Sequence, residues 1–79
     1  MAVHAYVLIQ TDVGKAADVT RLAREIDGVV SADNVTGPYD VIAVLESGSI
    51  DDLGRLVVSQ MQRIEGITRT VTCPAVVLS

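Results

Sequence analysis

Ile26-Asp27-Gly28-Val29 and Ile64-Glu65-Gly66-Ile67, 38 positions apart, decide how this chain is read. Each closes an apolar pattern of helical spacing and opens a run of β-branched residues. A glycine just past the last periodic residue stops a helix, because it enters the left-handed backbone region without a Cβ clash. The same stop twice divides the chain into two strand-helix-strand halves.

Working outward, apolar residues recur at Ala16, Val19, Leu22, Ala23 and Ile26 before the first stop, with Asp12 in the capping region ahead of them. Before the second stop they recur at Ile50, Leu53, Leu56, Val57, Met61 and Ile64. Ser49 with Asp52 resembles a capping box there, and Asp51 and Asp52 suit a positive helix N-terminus. Gly54 lies inside this helix, where close approach of another backbone would account for it. Strands are expected over 3–10, 29–36, 41–45 and 67–78. Val3, Ala5, Val7 and Ile9 share one face of the first, and His4, Tyr6, Leu8 and Gln10 the other. The second is polar and suits an edge. The third, Val-Ile-Ala-Val-Leu, is apolar on both faces. In the last, Thr68, Thr70 and Thr72 share one face and Ile67, Arg69, Val71 and Cys73 the other, while Pro74 implies an edge, a bulge or a break. Gly37-Pro38-Tyr39-Asp40 joins the halves as a turn.

The order βαββαβ predicts an α+β, ferredoxin-like fold: an antiparallel four-stranded sheet with both helices on one face. The second face has nothing in the chain to cover it, and an apolar patch of that extent marks an interface. A dimer through the sheet face is therefore expected, a dimeric α+β barrel-type assembly.

Composition narrows the function. The chain has 79 residues, a net charge of -4 and 49% hydrophobic residues, so it suits one small domain with a core, not a disordered segment. Its 14 valines accompany no Phe and no Trp, leaving Tyr6 and Tyr39 as the aromatics, so neither a base-stacking platform nor an aromatic cage for a flat cofactor is available. The acidic balance argues against nucleic acid and against anionic membranes. No apolar stretch reaches the length of a membrane span, and Met1 to Ala5 lacks a signal peptide's basic flank. A cytoplasmic location follows as the expectation. One cysteine and one histidine make neither an internal disulfide nor a Cys/His zinc site, so neither metal nor cofactor is expected.

No catalytic constellation stands out. His4 reads as structural or exposed, since no acid lies near it in sequence. Cys73 reads as an ordinary buried free cysteine in an apolar strand, with Arg69 about 13 Å along the same face by strand rise. Asp33 and Asp40 read as solvated turn carboxylates, and Gly14-Lys15 lacks the rest of a phosphate loop. The Gly37–Asp40 turn carries the most function. It could be no more than a hairpin turn. It could also receive a free amino acid: backbone N–H groups for the carboxylate, Asp40 for the ammonium group and Tyr39 over an aliphatic side chain.

The paired glycine stops, the βαββαβ order and Val35-Thr36-Gly37-Pro38-Tyr39-Asp40-Val41 together resemble the RAM domain, the ligand-sensing half of the Lrp/AsnC transcription regulators, over about Val3 to Leu78. Thr70-x-Thr72 also matches that family's last strand. The resemblance implies sheet-to-sheet homodimers that assemble into rings, often octamers, and amino acid binding between dimers near the glycine-containing turn. Carried over by position, Gly37, Pro38, Tyr39 and Asp40 would line the pocket, Thr70 and Thr72 would add hydroxyls, and catalytic residues are not expected. Pro38 occupies the family's variable position. Residues 1–79 would then form a single RAM-like domain without the helix-turn-helix half, a non-enzymatic effector-binding and oligomerisation module that could act by co-assembling with full-length Lrp/AsnC regulators. The competing reading is a small dimeric α+β barrel monooxygenase, disfavoured by the scarcity of polar and aromatic residues for its pocket. An ACT-like sensor shares the topology but usually binds ligand at helix-facing interfaces.

Overall fold

A computed structural model describes residues 2–76. The elements run β1 (Val3–Thr11), α1 (Ala16–Arg24), β2 (Val29–Asn34), β3 (Val41–Ser47), α2 (Ile50–Ser59), a single 3-10 turn (Met61–Arg63) and β4 (Ile67–Pro74). The strands form one antiparallel sheet in the order β2-β3-β1-β4, the ferredoxin-like topology expected from the repeat. The edge position expected for the second strand is found, and Pro74 ends the other edge strand, where it costs no central hydrogen bond.

Register sorts the side chains onto two faces. Ala5, Val7 and Ile9 stand opposite Leu45, Ala43 and Val41, and all six are fully buried. They meet Val19 and Ala23 of α1, and Leu53 and Val57 of α2 with Met61 beyond it. The other face carries Tyr6 and Leu8 of β1, Val44 and Ile42 opposite them on β3, and Val71 opposite Leu8 on β4. These side chains are half-buried, except Tyr6, which is 44% exposed. No element covers that face among the described residues.

The glycine stops hold the two halves together. Gly28 and Gly66 have φ of 99° and 103°, the left-handed region where a side chain strains the backbone. A Cβ on Gly28 would lie 2.6 Å from Leu56 Cδ1 of α2, and one on Gly66 would lie 2.9 Å from Lys15 Cβ at the start of α1. Each stop therefore seats the helix of the other half. Hydrogen bonds lock both seats: Glu46 N donates to the Gly28 carbonyl at 2.8 Å, and Asp12 N to the Gly66 carbonyl at 2.8 Å.

Several local expectations are corrected. Helix α1 stops at Arg24 with Glu25 as its cap and α2 at Ser59 with Gln60 as its cap, so Gly28 and Gly66 both lie in the connection that follows and not directly at a helix end. Its N-cap is Lys15, which makes no side-chain cap; Asp12 contributes only a backbone carbonyl, to Lys15 N. Ser49 does cap α2, its Oγ accepting from Asp52 N at 3.1 Å, while the Asp52 carboxylate turns to Arg55. Gly54 has no backbone beside it: a Cβ there meets nothing within 4 Å. Strand β3 runs on to Ser47 because Glu46 and Ser47 pair with His4 and Val3. Strand β2 ends at Asn34 and β4 at Pro74; Val77 and Leu78 lie outside the described residues. Ile67 does not share a face with Arg69, Val71 and Cys73. The ladder slips between Gln10 and Thr11, so Thr68 is an extra residue and Ile67 packs on the core.

No described helix is long and apolar enough to cross a membrane. Two glycine substitutions should move stability in opposite directions. Gly54→Ala should gain about 1 kcal/mol, the helix propensity difference. Gly28→Ala should lose about 1–2 kcal/mol from the left-handed backbone alone, with the Leu56 contact adding to it. Urea unfolding followed by circular dichroism checks both.

Candidate functional site

The segment between β2 and β3 is tied to the end of β1 at several points. Val35 N donates to the Asp40 carbonyl at 2.9 Å, closing the turn on itself. Asp40 N donates to the Ile9 carbonyl at 2.9 Å. Asp40 Oδ2 accepts from Thr11 N at 2.8 Å and from Thr11 Oγ1 at 3.2 Å. Gln10 Nε2 donates to the Pro38 carbonyl at 3.0 Å. Polar side chains at the end of an otherwise apolar strand thus hold the turn in place. One carboxylate oxygen of Asp40 is committed to this clasp; Asp40 and Tyr39 are half-buried.

Gly37 supplies the bend that the rest of the turn needs. Its φ of 120° favours glycine, and the space a Cβ would occupy is empty. Among the described residues, the N–H groups of Gly37 and Tyr39 have no protein acceptor. The turn therefore presents backbone donors at its tip while its base is fixed.

Thr70 and Thr72 stand opposite Ile9 and Val7, on the helix side of β4. Thr70 is half-buried and its Oγ1 accepts from Gln62 Nε2 at 3.1 Å. It edges a recess of about 310 Å³ shared with Gln62, Ile67, Thr68 and Arg69. Ile9 pairs with Thr70 and also accepts from Asp40 N, so turn and threonine sit at one end of the sheet with β1 between them. Thr72 is two pairs farther along and exposed. Within one subunit, Gly37, Pro38, Tyr39 and Asp40 form one group, and Thr70 and Thr72 stand apart from it.

The register adds two residues that sequence reading left out. Gln10 and Arg69 are paired on the open face at this same end. Gln10 reaches the turn, and the exposed Arg69 makes no ion pair among the described residues. Asp40 and Arg69 therefore flank Gln10 as opposite charges. The 59 positions from Gln10 to Arg69 hid the pair, which needed the strand order to become visible.

The remaining chemical groups are dispersed. Asp33 pairs loosely with Arg24 at 3.7 Å, away from Asp40. His4 meets Tyr6 edge-on with ring centroids 5.9 Å apart, and Cys73 is not buried as expected but exposed opposite Tyr6, because β4 is an edge strand. No three His, Cys, Asp or Glu side chains among the described residues gather into a metal site.

Comparison with known proteins gives this geometry a family. An uncharacterized HTH-type transcriptional regulator of Pyrococcus horikoshii is 27% identical over 71 residues, covering 86% of this chain and 47% of its own length. The chain thus spans about half the length of the curated relatives it matches. The crystal structure of a Thermus thermophilus protein superposes with a TM-score of 0.90 at 27% identity, over 98% of this chain and 96% of that one. Two more distant structures share the fold. Escherichia coli AsnC has a TM-score of 0.88 at 22% identity, over 96% of this chain and 52% of its own. A Neisseria meningitidis transcriptional regulator in complex with L-Met has 0.81 at 14% identity, over 94% and 49%. The family model of the Lrp/AsnC ligand binding domain matches residues 4–77, nearly the whole chain, and the protein belongs to that family.

Proposed function

We propose that this domain binds a free amino acid at the turn end of its open sheet face, within an oligomer built on that face, and that it is not an enzyme. The observation that carries the reading is the placement of Asp40 and Arg69 on either side of Gln10, beside the N–H groups of Gly37 and Tyr39, for which no described residue supplies an acceptor. A zwitterion needs opposite charges at short range plus donors for its carboxylate. Arg69 and the turn N–H groups serve the carboxylate, and the second oxygen of Asp40 serves the ammonium group. Pro38 and Tyr39 border the side chain. Thr70 and Thr72 face the helices and would reach a ligand only where another subunit brings a turn against them. The L-Met held by the Neisseria regulator supports an amino acid as the ligand class.

The open face supplies the assembly. Tyr6, Leu8, Ile42, Val44 and Val71 form an apolar stripe bordered by His4, Glu46, Asp33 and Arg69, the pattern of an interface core with a polar rim. Pairing of two such faces gives a homodimer, and further contacts give a higher oligomer, with an octamer as the family precedent. A ligand bound between subunits then shifts the assembly equilibrium by linkage. Co-assembly with full-length Lrp/AsnC regulators through the same face would carry that signal to transcription. The dispersed His4, Cys73 and aspartates offer the monooxygenase reading nothing.

Thermal melts against the free amino acids, read beside sedimentation, test this. One amino acid should raise Tm by several degrees at a hundredfold excess over Kd, where linkage is worth about 2.7 kcal/mol. Arg69→Ala should abolish that rise and leave the unliganded Tm in place; a flat profile with every amino acid would sink the ligand assignment. Asp40→Ala should cost about 1.5–3 kcal/mol even without ligand, because the Thr11 donors lose a charged acceptor, and chemical denaturation measures it. Tyr6→Asp should convert the dimer to monomer, and an unchanged sedimentation coefficient would contradict the sheet-face interface.

A further inference from the structure

We propose that α2 is a second self-pairing surface, packing antiparallel on α2 of another copy about a two-fold axis at Gly54. Gly54 is a glycine inside a helix that the fold leaves unexplained: it weakens the helix, and nothing approaches the space its Cβ would fill. Four residues to either side, on the same helical face, lie Ile50 and Val58, 50% and 64% exposed. Gly54, Arg55, Val58 and Ser59 border a largely apolar recess of about 450 Å³.

The pattern is symmetric, and that identifies the occupant. In an antiparallel pair centred on Gly54, each residue meets the one equally far on the other side, so Ile50 packs on Val58 of the second copy and Val58 on its Ile50. Gly54 meets Gly54, where the missing side chains let the backbones close. Asp51 and Arg55 run along one border of this stripe. Their spacing leaves Asp51 of one helix only about 3 Å, in axial rise, from Arg55 of the other. Two equivalent ion pairs result. Arg55 is available for them, since its 3.2 Å contact with Asp52 is exposed and so exchanges readily. The same surface thus complements itself in shape and in charge, as an isologous contact must.

Helix α2 lies on one side of the sheet and the open face on the other, and the Gly54 stripe runs along the flank of the helix, so the two contacts use separate surfaces. Two isologous contacts on separate surfaces join dimers into a closed ring or an open chain. One helix buries far less than the roughly 800 Å² per partner of a stable interface, so this contact adds subunits to the sheet-face dimer at higher concentration. It requires no ligand.

Sedimentation velocity of the full chain, from micromolar to near-millimolar concentration, tests it, with circular dichroism confirming that each variant is folded. The wild type should populate species larger than the dimer as concentration rises. Val58→Asp and Arg55→Asp should each stop at the dimer, and the double reversal Asp51→Arg with Arg55→Asp should restore the larger species. A dimer at every concentration, or larger species unaffected by Arg55→Asp, would overturn the helix contact and leave the sheet-face dimer standing. A monomer throughout would overturn both.

Discussion

Two glycines without side chains fix how the halves of this domain meet. Gly28 lies under Leu56 and Gly66 lies under Lys15 and Val19, so each stop between helix and strand is also the seat for the helix of the opposite half. The positive φ that lets the chain reverse and the absence of a Cβ that lets the helix settle are demands on the same residue. Helices of nine and ten residues are too short to persist alone. They persist because the seats press them onto the sheet, where Val19, Ala23, Leu53 and Val57 close the core.

That arrangement uses the apolar residues of one sheet face and leaves those of the other. Ala5, Val7 and Ile9 are buried within the subunit, while Tyr6 and Leu8 between them await another surface. A domain of this size buries a smaller share of its surface than a larger one, and here the uncovered share includes an apolar face of the sheet. Core and open face are therefore divided between alternate residues along one strand. The turn at Gly37–Asp40 is clasped to the end of that same strand.

Much of the fold was legible because it rests on periodicity. The repeat at Gly28 and Gly66, the alternation of β1 and the Ser49 cap each need only a few neighbouring residues to be read. What escaped depends on partners far along the chain. Ile67 shares its apparent alternation with Arg69, yet the slip at Thr68 moves it to the core, and no local signal marks a bulge. Asp40 reads as a free ligand group until Thr11, 29 positions away, is found to occupy one of its oxygens. Arg69 joins the candidate site only through its pairing with Gln10. Thr70 and Thr72 were correctly placed on one face of the strand, but which face could be known only from the sheet order. Gly54 looked like a packing residue within the chain, and its surroundings are empty.

Both irregularities of the ladder fall on the outer strands. Thr68 is extra in β4 and Val30 is extra in β2, and Pro74 ends β4 where a further hydrogen bond to a neighbour would begin. An unbroken outer strand in a valine-rich sheet is a template on which other chains can add, edge to edge, without limit. A displaced residue twists the strand away from such a template. The two bulges thus turn both outer edges away from such addition and guard a strongly apolar chain against growth into a fibre.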